Sequence, residues 1–171
     1  MRPIVLLTAF SAASFAQSSG SLSADAKAFW TGIKNNVLRA AEKMPEEHWS
    51  YKPAPEVRSF GGIVAHVADG NYLICGAANG EKRELTVEKT KSSKADIIAA
   101  LKESFAYCDA AYDGMTDAKA TEPIKLFGRD RVRISALWMN ISHDNEHYGN
   151  LVTYMRAKGL VPPSSEPRPA Q

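Results

Sequence analysis

Apolar residues recur at helical spacing in four long stretches of the chain, and polar residues fill the positions between them. These stretches predict helices over about residues 24–44, 60–78, 93–114 and 132–158. In the third stretch, the apolar positions are Ile97, Leu101, Phe105, Cys108, Tyr112 and Met115. Signals for strands are almost absent, apart from a short extended piece predicted over residues 124–127. The pattern therefore predicts an all-α protein, built as a four-helix bundle.

Residues typical of helix ends support these boundaries. Pro45 stops the first helix, and Ser59 is a plausible N-cap of the second. Ser93 begins a capping box, and Gly159 is the expected residue just beyond the last helix. The connections between the helices are medium to long, so the pattern alone does not decide the order in which the helices pack.

The remaining segments are predicted to lie outside the bundle, which spans residues 24–162. Residues 79–92 are polar and charged and are expected to form a solvated loop. The Pro/Ser-rich tail over residues 163–171 is expected to be disordered.

Composition places the chain among ordinary soluble domains. It has 171 residues, of which 44% are hydrophobic and 23% are charged. The formal net charge is only +2. Such a balance favours neither a nucleic-acid partner nor a membrane surface.

The first 16 residues are typical of an export signal. Arg2 supplies a positive charge, Pro3–Phe10 an apolar stretch, and residues 14–16 a cleavage site of the small-x-small type. The alternative is a membrane anchor, but the apolar run is too short to span a bilayer. We expect cleavage after Ala16, followed by a linker over residues 17–23. The mature protein is then exported, periplasmic or secreted, with no stable membrane insertion.

The sequence contains two cysteines, Cys75 and Cys108, on different predicted helices. An oxidising compartment would permit a disulfide between them. Both residues are equally well interpreted as small buried hydrophobic residues. Their spacing does not choose between the two interpretations.

The last helix carries His143 and His147, four residues apart, and the second helix carries His66. Side chains at positions i and i+4 lie on the same face of a helix, so the first two can bind one cation. On the second helix, Gly70 shares the face of His66, whereas Cys75 points to the opposite side. The alternative is that His143 and His147 lie on a wet surface and that His66 is a hydrogen-bonded core residue.

Polar residues surround both histidine faces. Asp69 and Glu146 are candidates for a general base or for orienting the histidines, although both could equally be solvated surface residues. Asn140, Asn150 and Tyr154 lie on the side of the last helix that carries the histidines and could orient a substrate.

Three pieces of the sequence carry a likeness to a known family. They are Met44–Pro53 leading to Ser59–Ala68, then Asn71-Tyr72 followed by Cys75, and His143–Asn150 running on to Tyr154–Arg156 and Gly159–Ser164. On these segments the chain resembles the DinB-like (DinB/YfiT) superfamily over nearly all of its mature length.

The resemblance implies an up-down-down-up four-helix bundle. It also implies a divalent metal ion (zinc, nickel, iron or manganese) on His66, His143 and His147. Members of the family include thiol-dependent transferases and isomerases, and most of them look cytoplasmic. The export signal departs from that pattern, because low-molecular-weight thiols are scarce outside the cytosol.

Three functions are compatible with these observations. The first is a metal-dependent hydrolase or transferase that acts on a small molecule. The second is a non-catalytic metal-binding or sensing module, which could form a homodimer through an exposed face of the bundle. The third is a metal-free helical interaction domain, which would be favoured if the three histidines lie far apart.

Overall fold

Four long helices form the bundle in the computed structural model, which describes residues 20–167. Their bounds are α1 Leu22–Lys43, α2 Phe60–Asn79, α4 Lys94–Asp113 and α6 Ile134–Ala157. The shorter elements are the helices α3 Val87–Thr90 and α5 Asp117–Ala120, the strands β1 Pro123–Leu126 and β2 Arg129–Val132, and 3-10 turns at Glu46–His48 and Pro163–Ser165. The four helices predicted from the sequence are confirmed to within two residues at every end. Within the described range, no helix has the length and apolarity needed to cross a membrane.

The helices begin and end at the residues that local chemistry favours. The hydroxyls of Ser21, Ser59 and Ser93 accept hydrogen bonds from backbone N–H groups three residues further on. Gly80 follows α2 with a φ of 76°, and Gly159 follows α6 with a φ of 71°. Glycine adopts this left-handed conformation without a steric penalty, so both helices can end sharply.

Pairs of contacting residues give the directions of the helices. Asn71 contacts Ser104, and Cys75 contacts Cys108, so α2 and α4 advance together and run parallel. Lys34 pairs with Asp109, and Lys27, which comes earlier in α1, pairs with the later Asp113. Helix α1 is therefore antiparallel to α4.

Helix α6 is antiparallel to α2. Asn71 contacts Asn140, whereas His66, which comes earlier in α2, contacts the later His143. It therefore runs parallel to α1, which it contacts through Phe29 and Trp138. These directions give the up-down-down-up bundle implied by the family resemblance.

A chain of buried polar side chains fixes the register of three helices. The side-chain amide of Asn71, on α2, donates from Nδ2 to the Ser104 hydroxyl of α4 at 3.1 Å. Nδ2 of Asn140, on α6, donates to the side-chain oxygen Oδ1 of Asn71 at 2.8 Å. Tyr112 of α4 donates to the Asn140 carbonyl at 3.0 Å. Buried polar groups are costly unless they are paired, so a slip of one helix would leave several unpaired. The register in turn sets the height of the histidines on α2 and α6.

The two cysteines form a disulfide between α2 and α4, with Cα atoms 5.4 Å apart. Neither residue has measurable exposed surface. Of the two interpretations left open by the sequence, the structure has the disulfide. Cys75 faces α4 and not the histidines, which confirms its predicted position opposite His66.

The prediction of a solvated loop over residues 79–92 is wrong for residues 87–90, which form the short helix α3. Val87 at its start is 6% exposed and packs into the core. A single turn of four residues with one apolar side chain is too short to produce helical periodicity in the sequence. The extended piece predicted over residues 124–127 is β1, and the pattern missed its antiparallel partner β2 because all four β2 residues are exposed.

Disorder of the tail is also a wrong prediction for residues 163–167. Pro163 is buried, and Glu166 forms ion pairs with Lys43, at 2.6 Å, and with Arg39 on α1. A proline-rich composition indicates a lack of helix, but it does not exclude packing of the extended chain on a neighbouring helix. The predicted signal peptide, residues 17–19 of the linker and residues 168–171 lie outside the described residues, and the last two residues of that linker already belong to α1.

Candidate metal centre

Three imidazole rings from two helices meet at one point of the bundle. His66 of α2 and His143 of α6 approach with their Nε2 atoms 3.3 Å apart. With His147, one turn further along α6, the three rings offer nitrogen atoms that all lie within 4.8 Å of one another. Zinc–nitrogen bonds of about 2.0–2.1 Å in a tetrahedron place two ligand nitrogens about 3.3–3.4 Å apart. These three histidines can therefore hold a metal ion.

A glycine allows the two helices to approach at this point. Gly70 lies one turn after His66, on the side of α2 that faces α6. A methyl group there would lie 2.9 Å from Nε2 and 3.0 Å from Nδ1 of His143, both closer than normal contact. Because Gly70 has no side chain, the His143 ring can occupy this space between α2 and α6.

Carboxylates orient two of the three rings from behind. Oε2 of Glu88, on α3, lies 3.3 Å from Nδ1 of His66, and Oδ1 of Asp144 lies 3.1 Å from Nδ1 of His143. A ring that donates its Nδ1–H to a carboxylate keeps the lone pair on Nε2 for a metal ion. The two Nε2 atoms that face each other are the ones left free in this way.

Electrostatics favours the neutral form of His66 and His147, which is the form that binds metals. Burial lowers the pKa of His66, and the charge of Arg58 lowers it further. Burial lowers the pKa of His147 to about 4, with contributions from His143 and His66.

The two orienting carboxylates differ in their environment. Burial raises the pKa of Asp144 to about 6, although the hydrogen bond from His143 acts in the opposite direction. Burial also acts to raise the pKa of Glu88, but Arg58, which donates from Nε at 2.7 Å, and His66 together outweigh it, so this pKa lies below its ordinary value. Arg58 thus holds Glu88 in its charged form beside His66.

An unsatisfied atom supports the fit of a cation to this site. Nδ1 of His147 is buried and has no hydrogen-bond partner among the described residues. Such a group is costly to bury. The donor set, the spacing of the nitrogens and the carboxylates behind two of the rings all suit a divalent ion.

The two acidic residues singled out in the sequence have different positions. The carboxylate of Asp69 accepts hydrogen bonds from the backbone N–H groups of Val87 and Glu88, both at 3.0 Å. Asp69 therefore anchors the start of α3, and its role as a base stays a prediction. Glu146 is exposed and lies next to His147 in a cavity, so its role as a base stays a prediction.

Two cavities flank the histidines. The first has a volume of about 760 Å³ and exposes His66 and His143; its apolar wall consists of Leu73, Ile74, Leu85, Phe127 and Met139. The second has a volume of about 620 Å³, exposes His147 and is more polar; it is lined by Glu56, Arg58, Glu88, Glu146, Asn150 and Tyr154. The candidate centre therefore lies between an apolar and a polar cavity.

Replacing Asp69 by alanine is expected to lower the free energy of unfolding by about 1–2 kcal/mol, because two backbone donors at the start of α3 lose their acceptor. It should also weaken metal binding by about tenfold, since Glu88 would lose its fixed position behind His66. Urea denaturation and zinc titration measure the two effects. Glu84→Ala, an exposed carboxylate in the same connection, is the control. Equal behaviour of the two variants would contradict the anchoring role.

Sequence reasoning missed Glu88, Asp144 and Arg58. Asp144 is adjacent to His143 and could have been noticed, whereas the short helix that carries Glu88 gives no signal in the pattern. Two predicted substrate-orienting residues have partners elsewhere. Asn140 belongs to the core network, and Tyr154 donates to the backbone carbonyl of Arg58 at 2.9 Å.

Comparison with known proteins gives the same fold. The uncharacterized protein YjoA of Bacillus subtilis is 26% identical over 129 residues, which cover 74% of this chain and 84% of that protein. A DinB-like protein from Bacillus cereus, solved by crystallography, superposes with a TM-score of 0.71 at 22% identity, over 81% of this chain and 93% of that one. A mutant of the mycothiol-dependent maleylpyruvate isomerase superposes with a TM-score of 0.63 at 14% identity, over 75% of this chain and 60% of that one.

A sequence profile of the DinB superfamily matches residues 31–151. This range includes most of α1 and α6, all of α2 and α4, and the three histidines of the candidate centre. The match covers well over half of the chain, and the bundle has the family's order of helices. The chain therefore belongs to the DinB superfamily.

Proposed function

We propose that this protein binds one divalent metal ion through His66, His143 and His147 and uses it to hydrolyse or transfer a group of a small molecule. The observation that carries the proposal is the 3.3 Å approach of two Nε2 atoms whose rings are each held from behind by a carboxylate. Three protein ligands leave a coordination position for water or substrate, which is the pattern of catalytic rather than structural zinc sites.

The chain's own residues would share the work as follows. A bound ion would supply a Lewis acid and lower the pKa of a bound water molecule. Glu88 and Asp144 hold the Nδ1 protons of His66 and His143, so that both rings keep one tautomer. The carboxylate of Glu146, which lines the polar cavity together with His147, would accept a proton from an attacking water molecule.

We further infer that the protein acts outside the cytosol. The first 16 residues have the pattern of an export signal, and the disulfide between Cys75 and Cys108 suits an oxidising compartment. The mycothiol dependence of the isomerase is not carried over, because at 14% identity the likeness is one of fold.

Metal analysis is the first test of this proposal. Protein loaded with zinc, nickel, iron or manganese and then desalted should retain one ion per chain. A free metal concentration 100 times the Kd should raise the free energy of unfolding by about 2.7 kcal/mol. His143→Ala, which removes one ligand, should lose both effects. Retention of the ion by His143→Ala with the affinity of the parent would contradict the site.

Turnover is the second part of the test. The metal-loaded protein should cleave members of a panel of small esters and amides, and a chelator should abolish the activity. Glu146→Gln should retain the metal but lose most of the turnover, because an amide cannot accept the proton. Metal binding without turnover across the panel would instead support the non-catalytic metal-binding module.

A further inference from the structure

The apolar cavity beside the histidines gathers large hydrophobic side chains that are not buried. Leu73 is 41% exposed, Phe127 57% and Met139 39%, and all three line the cavity that exposes His66 and His143. Exposed apolar residues scattered singly need no explanation, but a group of them around one concavity marks a binding site. The volume of about 760 Å³ lies within the range of roughly 300–1,000 Å³ typical of small-molecule pockets.

The backbone at Phe127 gives an independent indication. Phe127 and Gly128 form the turn between β1 and β2, with φ values of 48° and 79°. Two-residue hairpin turns with positive φ at both positions favour Asn-Gly, and a bulky residue at the first position is an outlier. Strained positions of this kind are concentrated at ligand-binding sites. The hairpin therefore holds an aromatic ring at the cavity where asparagine would suit the backbone better.

Two acidic side chains that line the cavity, Asp69 and Glu88, already have protein partners, so the apolar wall is the main surface that can recognise a ligand. The Asp69 carboxylate is held by the start of α3, and Glu88 is held by Arg58 and His66. Lys89, at the rim, forms no ion pair within the described residues. The cavity thus combines a hydrophobic wall, two histidines of the candidate metal centre and the positive charge of Lys89.

We propose that this cavity selects small molecules with an apolar acyl or aryl body and an oxygen-bearing head group, and that Phe127 is a specificity-determining residue. This inference rests on the proposed function, because the head group is placed at the metal ion. Phe127, Leu73 and Met139 hold the body, and the histidines hold the ion that binds the head group.

Two hydroxamates test the inference because they share a metal-binding head and differ in chain length. Binding of acetohydroxamate and octanohydroxamate is measured by calorimetry on the cobalt-loaded protein and on the metal-free protein. The visible absorption of cobalt reports separately whether the head group reaches the ion. Burial of a methylene group is worth about fourfold in affinity, so six methylenes in a half-open cavity should tighten binding by about 50-fold.

Matched variants locate the effect. Phe127→Asn gives the turn its preferred residue, so the variant should fold at least as well as the parent. Because it lacks the aromatic ring, it should bind octanohydroxamate about tenfold more weakly. Leu73→Ser should weaken the long probe in the same direction. Both variants should bind acetohydroxamate within about twofold of the parent, since its methyl group scarcely reaches the wall. Leu22→Ser, the control matched to Leu73→Ser, removes an exposed side chain at the start of α1 that lies outside the cavity and should leave the binding of both probes unchanged.

The outcomes separate this inference from the proposed function. Equal affinities for the two probes in both forms of the protein, or a chain-length effect untouched by Phe127→Asn and Leu73→Ser, would overturn the assignment of the cavity. An unchanged cobalt spectrum together with a chain-length effect that both variants reduce would overturn the metal-bound head group and the proposed function. That second result would leave the apolar specificity of the cavity standing.

Discussion

Replacing Cys75 and Cys108 together by alanine is expected to lower the free energy of unfolding by about 4 kcal/mol. The disulfide joins residues 33 positions apart in the sequence. A cross-link over such a loop removes many conformations from the unfolded chain, and the effect grows with loop length. The Asn71–Ser104 hydrogen bond holds the same two helices one turn away, so the variant should still fold.

Urea denaturation and thermal unfolding of the parent and the double variant measure this effect. A loss of that size should lower the melting temperature by about 10 °C for a domain of this length. Both cysteines are fully buried, so a reductant should act only when the chain is first unfolded. Reduced parent should then unfold like the variant, whose own transition should not respond to the reductant. Identical transitions of oxidised parent and variant would show that the bond contributes no stability.

The four helices could be predicted because their apolar stripes are long. Each extends over five or more turns, so periodicity and end signals such as Ser59 and Gly159 agree. The order of the helices could not be derived from the pattern, because long connections permit several topologies. It depends on pairs distant in the sequence, such as Asn71 with Ser104 and Asn71 with Asn140.

The histidines of the candidate centre could also be named from the sequence. His143 and His147 are one turn apart, and His66 lies on the only other apolar helix with a histidine. The surroundings were harder to predict. Glu88 reaches His66 only because Asp69 anchors α3 against α2, and nothing in residues 79–92 indicates that contact. The sequence does not show that Asp69 is an anchoring carboxylate, because this role is visible only in its hydrogen bonds to the backbone of α3.

The partner of Cys75 in the disulfide could not be predicted from the sequence pattern either. A helical wheel correctly placed Cys75 opposite His66, but it could not say what lay there. The partner depends on α2 and α4 running parallel with a constant offset of 33 residues, which also pairs Asn71 with Ser104. Local pattern thus predicts which face a residue occupies, whereas the residue it meets is set by the packing of the bundle.

Gly70→Ala is expected to weaken metal binding by about 100-fold or more without destabilising the metal-free protein. The new methyl group would occupy the space of the His143 ring, which would rotate away and lose its hydrogen bond to Asp144 at a cost of about 1 kcal/mol. Alanine also raises helix propensity, which favours stability by up to about 1 kcal/mol. Changes to groups that merely orient metal ligands cost about 10–100-fold in affinity, so displacing a ligand should reach at least the upper end.

Gly149→Ala is the matched control, because Gly149 lies on α6 near His147 and a methyl group there meets no atom within 4 Å. It should gain the same helix propensity and keep the parent's metal affinity. Isothermal titration with zinc, together with urea denaturation of the metal-free proteins, separates the two effects. If Gly70→Ala bound zinc like Gly149→Ala, the His143 ring would have no part in coordination. A joint loss of stability and affinity would instead mean that Gly70 serves the packing of α2 against α6. The expected result, lost affinity with intact stability, follows only if the glycine at this crossing makes room for a ligand.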